Sequence, residues 1–334
     1  MADDVVRLAV WGAGIMGDRV ARSASRLPGV VVSAAIDVDE RRAGQVAAAV
    51  NARQFGTLAE ACAGTAIDAV YIGLPNAMHQ DACIEAARQG LHVLIEKPLT
   101  TTVRAANEVA RVAAGSGRFW MVGFSYRFRA EWQRAREILG SGAIGEPYFV
   151  SDNVFEALRT TPDWYWRSEA GGGTLSLQSH HVFDRWEWLL QSEVTELSAQ
   201  TISPAGAEVD LAVSLTARLG HSLIATSALS LSLGYDAPLR AIFTIQGTRG
   251  KIQLDEARRL TVVTEVGISE EDHSEDDWLT SELSAFLAGM RGDHRGQPTL
   301  EAGRRAVQLA EAAMTSTSGR SWISIQPLSD WSER

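Results

Sequence analysis

The chain has 334 residues, 46% of them hydrophobic and 22% charged, with a formal net charge of −10. That length suits two domains, each with a core of its own, and the composition is that of a globular protein. The acidic balance argues against nucleic acid and against an anionic membrane surface as partners, since both call for a basic face, while leaving room for a local basic pocket.

No run reaches the ~18 apolar residues of a membrane span. The N-terminal MADDVVRLAVWGAG carries acidic residues where a secretory leader carries basic ones, so a cytoplasmic protein is expected. Cys62 and Cys83 fall in helix-like stretches away from any CxxC or Cys/His cluster and read as reduced, buried thiols.

Through about residue 120, short apolar runs alternate with helical patterns. Strands are expected over 5–12, 30–37, 68–75, 91–98 and 118–125, apolar on both faces as strands covered on both sides must be. Helices are expected over 16–27, 40–50, 78–90 and 102–117, the last two stopping at glycine. This β-α alternation predicts a doubly wound parallel sheet. Beyond it, a helix-like segment (129–142) precedes GEPYFVSDNVFEA (145–157), and another runs from about 178 to 191. Strand-type runs follow at 193–202, 209–220, 222–231, 239–247, 250–255 and 259–267, joined by short polar turns, which predicts a largely antiparallel sheet. SEEDHSEDDW (269–278) reads as an acidic, solvated loop, and 279–290 and 300–319 as closing helices. The expected division is 1–123 and 124–334.

GAGIMG (12–17) is GxGxxG placed after a strand and opening a helix, the context a dinucleotide requires. Gly12 permits the tight turn, Gly14 lets backbone approach a pyrophosphate, and Gly17 allows close helix–strand packing, with Ile15 and Met16 between them. The phosphates would sit on the helix N-terminus. Asp37 ends the second strand, placed to accept hydrogen bonds from the adenosine ribose. Its charge repels a 2′-phosphate and favours NAD, while Arg41 and Arg42 nearby leave NADP open.

Two further stretches end strands where such sheets bind ligands. Leu74, Pro75 and Asn76 turn the chain at the nicotinamide side, with Asn76 expected to cap the next helix. His79 lies in that helix as a packing or ribose-facing residue. In EKP (96–98), Lys97 is caught between an apolar strand and a proline. Desolvation and a cationic ring would lower its pKa and suit it to shuttle a proton, with Glu96 pairing with it or with a ribose.

GxGxxG, the acid closing the second strand, PNAMH, GLHVLIEKPL, GSGAIGEPYFV, GGGTL…HHVFD and AFLAGMRG…AVQLAEAAMTSTSG occur in this order. On these motifs, over residues 5–325, the chain resembles the glucose–fructose oxidoreductase / inositol dehydrogenase / MocA family. The resemblance implies an N-terminal Rossmann domain and a C-terminal α/β domain with a large, mostly antiparallel open sheet. It also implies binding of NAD or NADP, hydride transfer to or from sugars, inositols or related polyols, and homodimers or homotetramers through the open sheet face. Lys97 matches the family's catalytic lysine.

In the family a glycine run leads to D-x-G-x-H, the aspartate touching substrate and lysine, the histidine serving as acid/base. Here GGGTLSLQSHHVFD (171–184) places His181 at the histidine, Leu177 at the aspartate and Ser179 at the glycine. The stretch looks like the floor of an active site with one part changed. Gln178, His180 or Tyr165 are candidates to stand in, although adjacent helical residues point ~100° apart, so His180 and His181 should not share a pocket. A metal held through His181 and Asp184 lacks evident further ligands, and no metal is expected. Arg127, Tyr165, Trp166 and Arg167 are candidates to line a sugar pocket, aromatic faces against C–H and guanidinium forks on hydroxyls or carboxylates. Leu177 keeps two rivals in view: a cofactor-binding sensor without catalysis, and an NAD-dependent glycosidase.

Overall fold

The computed structural model describes residues 5–158, 161–233 and 237–328. The acidic Asp3 and Asp4 on which the leader argument leans, and the last residues of the expected second domain, lie outside that set. The chain forms two compact units. Unit one holds the described residues through Ser125 together with Asp277–Arg304; unit two holds Tyr126–Asp276 and the described residues from Arg305 onward.

Unit one is built on β1 (Val6–Trp11), α1 (Ile15–Ala24), β2 (Val30–Ile36), α2 (Glu40–Val50), β3 (Arg53–Phe55), α3 (Leu58–Gly64), β4 (Ala69–Ile72), α4 (His79–Arg88), β5 (His92–Glu96), α5 (Val103–Ser116) and β6 (Trp120–Gly123). The six strands run in the order β3-β2-β1-β4-β5-β6, every described pairing parallel. The direction of winding reverses between β1 and β4, the crevice in which such sheets bind ligands. All four residues of β4 and of β6 are buried, as strands covered on both faces require. Caps fix the helix starts: Asp39 accepts from the amides of Arg41 and Arg42, and Thr57 and Glu60 form a capping box. Gly117 closes α5 in the left-handed region, the stop the sequence predicts. The short β3 and α3 have no counterpart in the sequence reading.

Unit two starts with α6 (Ala130–Gly140), followed by β7 (Pro147–Leu158), α7 (Thr174–Leu190) and β8 (Val194–Ile202). It continues with β9 (Ala212–Leu219), β10 (Leu223–Leu233), β11 (Ala237–Gly247), β12 (Gly250–Asp255), β13 (Arg259–Thr264) and β14 (Gly267–Asp272). After α8 (Trp278–Met290), which belongs to unit one, α9 (Leu300–Gly319) and β15 (Ile323–Ser324) end the described chain. The nine strands are ordered β14-β13-β12-β11-β7-β10-β9-β8-β15, antiparallel except for the parallel β7–β10 pair.

The expected acidic loop at 269–278 is corrected: its first residues form β14, hydrogen-bonded to β13. β14 is almost wholly exposed, and its carboxylates are the charges with which an edge strand avoids pairing with other chains. The stretch 145–157 supplies β7, a strand at the middle of the sheet. Val150, Asp152 and Val154 alternate onto its buried face, where Asp152 is held by Arg185 at 2.5 and 2.7 Å. The Arg185 guanidinium also lies 4.6 Å from the centroid of Tyr126. Burial pushes the Asp152 carboxyl up and the arginine pulls it back. Cys83 is buried, as expected, but Cys62 is only half-buried; both are free thiols.

Candidate functional site

In unit one the loop after β1 is made by close backbone approach. Gly12 has φ +102°, and a Cβ on it would lie 2.4 Å from the carbonyl oxygen of Gly73. A Cβ on Gly17 would lie 1.9 Å from the carbonyl oxygen of Gly12. Gly14, the N-cap of α1, differs: a Cβ there meets nothing within 4 Å, and no side chain caps the helix. Space is therefore left at Gly14, where α1 begins with no side chain capping its first amides, beside an exposed Ile15 and a half-buried Met16. Asp37 is buried at the end of β2. Its Oδ2 accepts from the amide of Ala13 at 2.9 Å, and its Oδ1 from the amide of Asp39 at 2.8 Å and from Arg42 at 3.2 Å. The carboxylate thus ties the loop to β2, and Arg42 is its counter-ion. Open amides on a helix N-terminus, with a carboxylate one strand away, fit a dinucleotide.

The loops after β4 and β5 meet through His79. It is the first residue of α4 rather than an interior one, and it is fully buried. Its Nδ1 lies 2.6 Å from the carbonyl oxygen of Pro98, its Nε2 2.9 Å from that of Leu74. Both partners are acceptors, so the neutral ring, with one N–H, donates to one of them and only the imidazolium donates to both; in either form His79 sits between the Lys97–Pro98 turn and the Leu74 turn. Burial lowers its pKa, against the pull of the two carbonyls, and Lys97 lowers it further. Asn76 is buried and opens a 3-10 turn whose N-cap is Pro75; the N-cap of α4 is Met78, so the expected cap of that helix does not fall on Asn76. Glu96 accepts from the Tyr71 hydroxyl at 3.0 Å. Burial raises the Glu96 carboxyl, and the adjacent Lys97 is first among the groups that pull it back. Lys97 is half-buried at the carboxyl end of the sheet.

In unit two the chain fills the space at Gly172 and Gly173. The amide of Gly173 donates to the Tyr165 carbonyl at 3.0 Å, and a Cβ on Gly172 would lie 2.3 Å from that same oxygen. A Cβ on Gly173 would lie 2.6 Å from Oδ1 of Asp210. Asp210 caps α7 from a distance: its Oδ2 accepts from the amide of Leu175 at 2.8 Å, and its carbonyl from Thr174. No feature of the sequence around 210 announces this. Burial raises the Asp210 carboxyl and the Leu175 amide lowers it.

Along α7, Leu177 and His180 are buried in the packing of the helix, and His181 is half-buried with its ring edge-to-face on Tyr126, centroids 5.1 Å apart. The two histidines diverge as helical spacing requires. Gln178 donates to Oε2 of Glu156 on β7 at 3.0 Å. The Arg127 fork, expected on a ligand, is directed at Asp184, with contacts of 2.6, 3.1 and 3.1 Å. That pairing also engages the carboxylate of the His181/Asp184 metal alternative. Among the described residues no group of three or more His, Cys, Asp or Glu side chains is placed to hold a metal ion. Tyr165 packs edge-on against Trp164, the Trp166 indole donates to Thr161 at 2.7 Å, and Arg167 is exposed. Glu156, Asp210 and Tyr71 are the residues that sequence reasoning missed, because each acts through a partner on another element.

Residues 6–124 match the family described as "Oxidoreductase family, NAD-binding Rossmann fold", and residues 132–253 match the GFO/IDH/MocA C-terminal domain. The inositol 2-dehydrogenase of Leifsonia xyli is 30% identical over 245 residues, covering 71% of this chain and 70% of the relative. That of Rubrobacter xylanophilus is 27% identical over 307 residues, covering 87% and 83%. Among solved structures, an oxidoreductase from Agrobacterium radiobacter in complex with NAD+, L-tartaric acid and magnesium superposes with a TM-score of 0.84 at 19% identity, covering 96% of this chain and 98% of that one. Among the described residues no helix is long and apolar enough to cross a membrane.

Proposed function

As a member of the Gfo/Idh/MocA oxidoreductases, this chain is an NAD-dependent dehydrogenase acting on CH–OH groups, and we propose that its substrate is a sugar, a sugar derivative or a cyclic polyol. The names of its relatives, inositol 2-dehydrogenases among them, support that class. The observation that carries the reading is Lys97: a half-buried lysine at the carboxyl end of β5, between the half-buried Glu96 and Pro98, whose carbonyl lies against the buried His79.

Bound NAD supplies the two-electron acceptor. The amides opening α1 after Gly14 hold its pyrophosphate, with Gly12, Ile15, Met16 and Gly17 shaping the loop. Asp37 takes the adenosine ribose. Three donors already reach its carboxylate, which offers about four lone-pair sites, so a ribose hydroxyl finds one remaining or displaces Arg42. The same charge repels a 2′-phosphate, which sets NAD above NADP. Leu74, Pro75 and Asn76 border the nicotinamide side.

Lys97, as the free amine, takes the substrate hydroxyl proton at Nζ while the carbinol carbon is oxidised to a carbonyl. His181 assists as a second acid/base group. Tyr165, Trp166, Arg167 and Gln178 contribute to substrate binding, and Arg127 does so through the wall it forms with Asp184. Phe155, Ile224 and Ile242, large apolar residues exposed on the sheet of unit two, support assembly of copies through that face. The free thiols of Cys62 and Cys83 suit a reducing, cytoplasmic setting.

The test is NAD-linked absorbance turnover across sugars, sugar acids, inositols and keto-sugars, with Lys97→Ala beside wild type. Turnover that falls by about 10²-fold or more in the variant is expected. Turnover that survives the substitution overturns Lys97 as the proton acceptor. Tight NAD binding with no turnover on any of them overturns the dehydrogenase and returns the two rivals, the sensor and the NAD-dependent glycosidase, which sugar hydrolysis without net cofactor turnover tells apart.

A further inference from the structure

Tyr71 and Glu96 lie in unit one, next to Lys97, and neither holds the dinucleotide loop nor moves the substrate proton. Tyr71 is 1% exposed on β4, and its hydroxyl donates to Glu96 Oε1 at 3.0 Å. Gly73 makes the room, and Gly123 borders the pair at ordinary contact distance. A Cβ on Gly73 would fall 2.7 Å from Tyr71 Cε1 and 2.9 Å from its hydroxyl, and a Cβ on Gly123 would fall 3.4 Å from both Cα and Oε2 of Glu96. Glycines at the carboxyl ends of β4 and β6 therefore flank a tyrosine–carboxylate pair.

Glu96 is half-buried, and a carboxylate partly out of water is costly unless it is hydrogen-bonded and near a cation. Glu96 has both. Tyr71 supplies the bond, Lys97 the adjacent charge, and Arg19 of α1 a more distant one. Glu282 of α8, 2% exposed, adds negative charge on the Tyr71 side, and buried His79 of α4 faces Lys97. Attraction between two charges is mutual: an ammonium that stabilises Glu96 is held as the ammonium by Glu96. Of the 31 basic Lys and Arg residues in the chain, only Lys97 and Lys251 are lysines, so the residue with a titratable amine stands at one of the few places where that property is used.

We propose that Tyr71 is a positioning residue for Lys97: its hydroxyl fixes the Glu96 carboxylate, and that fixed charge sets the pH at which Lys97 releases its proton. This rests on the proton-transfer reading of Lys97 and adds how its proton affinity is set.

Two lysines make the test direct. Full-length protein labelled at the lysine side chain gives two ε-position NMR signals, and Lys251→Arg assigns them. The Lys97 midpoint is then titrated without cofactor or substrate. Glu96→Gln is expected to lower it by about one pH unit, the effect of removing one close opposite charge. Tyr71→Phe is expected to lower it less, in the same direction. The acid limb of the pH profile of kcat/KM moves with the midpoint, whereas a merely structural role lowers the height of that profile and leaves its limbs in place. A midpoint unchanged in either variant that keeps the wild-type circular dichroism overturns the proposal; if Glu96→Gln does not fold, Tyr71→Phe decides alone. Failure of the wider reading looks different: Lys97→Ala would keep its turnover, whatever the titration shows.

Discussion

Two glycine-rich approaches to a helix can be compared, Gly12–Gly17 before α1 in unit one and Gly171–Gly173 before α7 in unit two. In the first, Gly12 and Gly17 are required by backbone oxygens 2.4 and 1.9 Å from where a Cβ would stand, but Gly14 faces nothing within 4 Å. In the second, Gly172 and Gly173 face the Tyr165 carbonyl and the Asp210 carboxylate at 2.3 and 2.6 Å. One loop keeps an opening at Gly14, where its helix begins. The other has its helix amides satisfied by Asp210. At Gly14 the chain leaves space unfilled, while at Gly172 and Gly173 it fills it.

The largest effect expected from this contrast is on unit two. Gly172→Ala drives a methyl into the backbone carbonyls of Tyr165 and Trp164, neither of which is the end of a flexible side chain. A loss of about 3 kcal/mol is expected, the upper range of overpacking, seen as a lowered urea midpoint. A variant as stable as wild type would break the comparison. Gly14→Ala sharpens it from the other side. The fold has room for the methyl, so stability should change by less than about 1 kcal/mol. NAD affinity should fall by about tenfold or more, because the methyl occupies the approach to the pyrophosphate. Calorimetric titration with NAD reads this, and unchanged affinity would remove the phosphates from this loop.

The same contrast explains what could be read from the residues alone. The unit-one sheet is legible because its signals are local: apolar runs, a glycine stop at Gly117, a GxGxxG between strand and helix, and Asp37 at a fixed spacing. In unit two the decisive partners are far apart in the chain. Nothing around Arg127 points to Asp184, which lies against its fork 57 residues on. Nothing around Gln178 points to Glu156, which lies at its amide from another element. SEEDHSEDDW reads as a loop because charge density masks strand pairing at a sheet edge, where hydrogen bonds to β13 rather than burial define the strand. Within unit one, the Tyr71–Glu96 bond escapes for the same reason: it joins two strands, and nothing in either strand's pattern points to the other.

The smallest expected effect concerns Asp210 and pH. Burial holds its carboxyl above the ordinary range although the Leu175 amide pulls it down. A group whose pKa is raised on folding takes up protons more readily in the folded chain. Its contribution to stability is therefore complete below the unfolded pKa and is lost as pH rises through the folded one. Asn at 210 keeps an oxygen to accept from Leu175 and has no proton to lose. The stability of wild type relative to Asp210→Asn should thus be greatest in acid and shrink as pH is raised above the ~4 of an unfolded aspartate, compared by thermal unfolding of both proteins at each pH. A difference that grows over that range would mean that the helix end stabilises the anion by more than burial penalises it. Asp210 would then be an anion held on helix amides after all, and the line between the two glycine loops would have to be redrawn: both would bind a negative charge, one from the chain and one from a ligand.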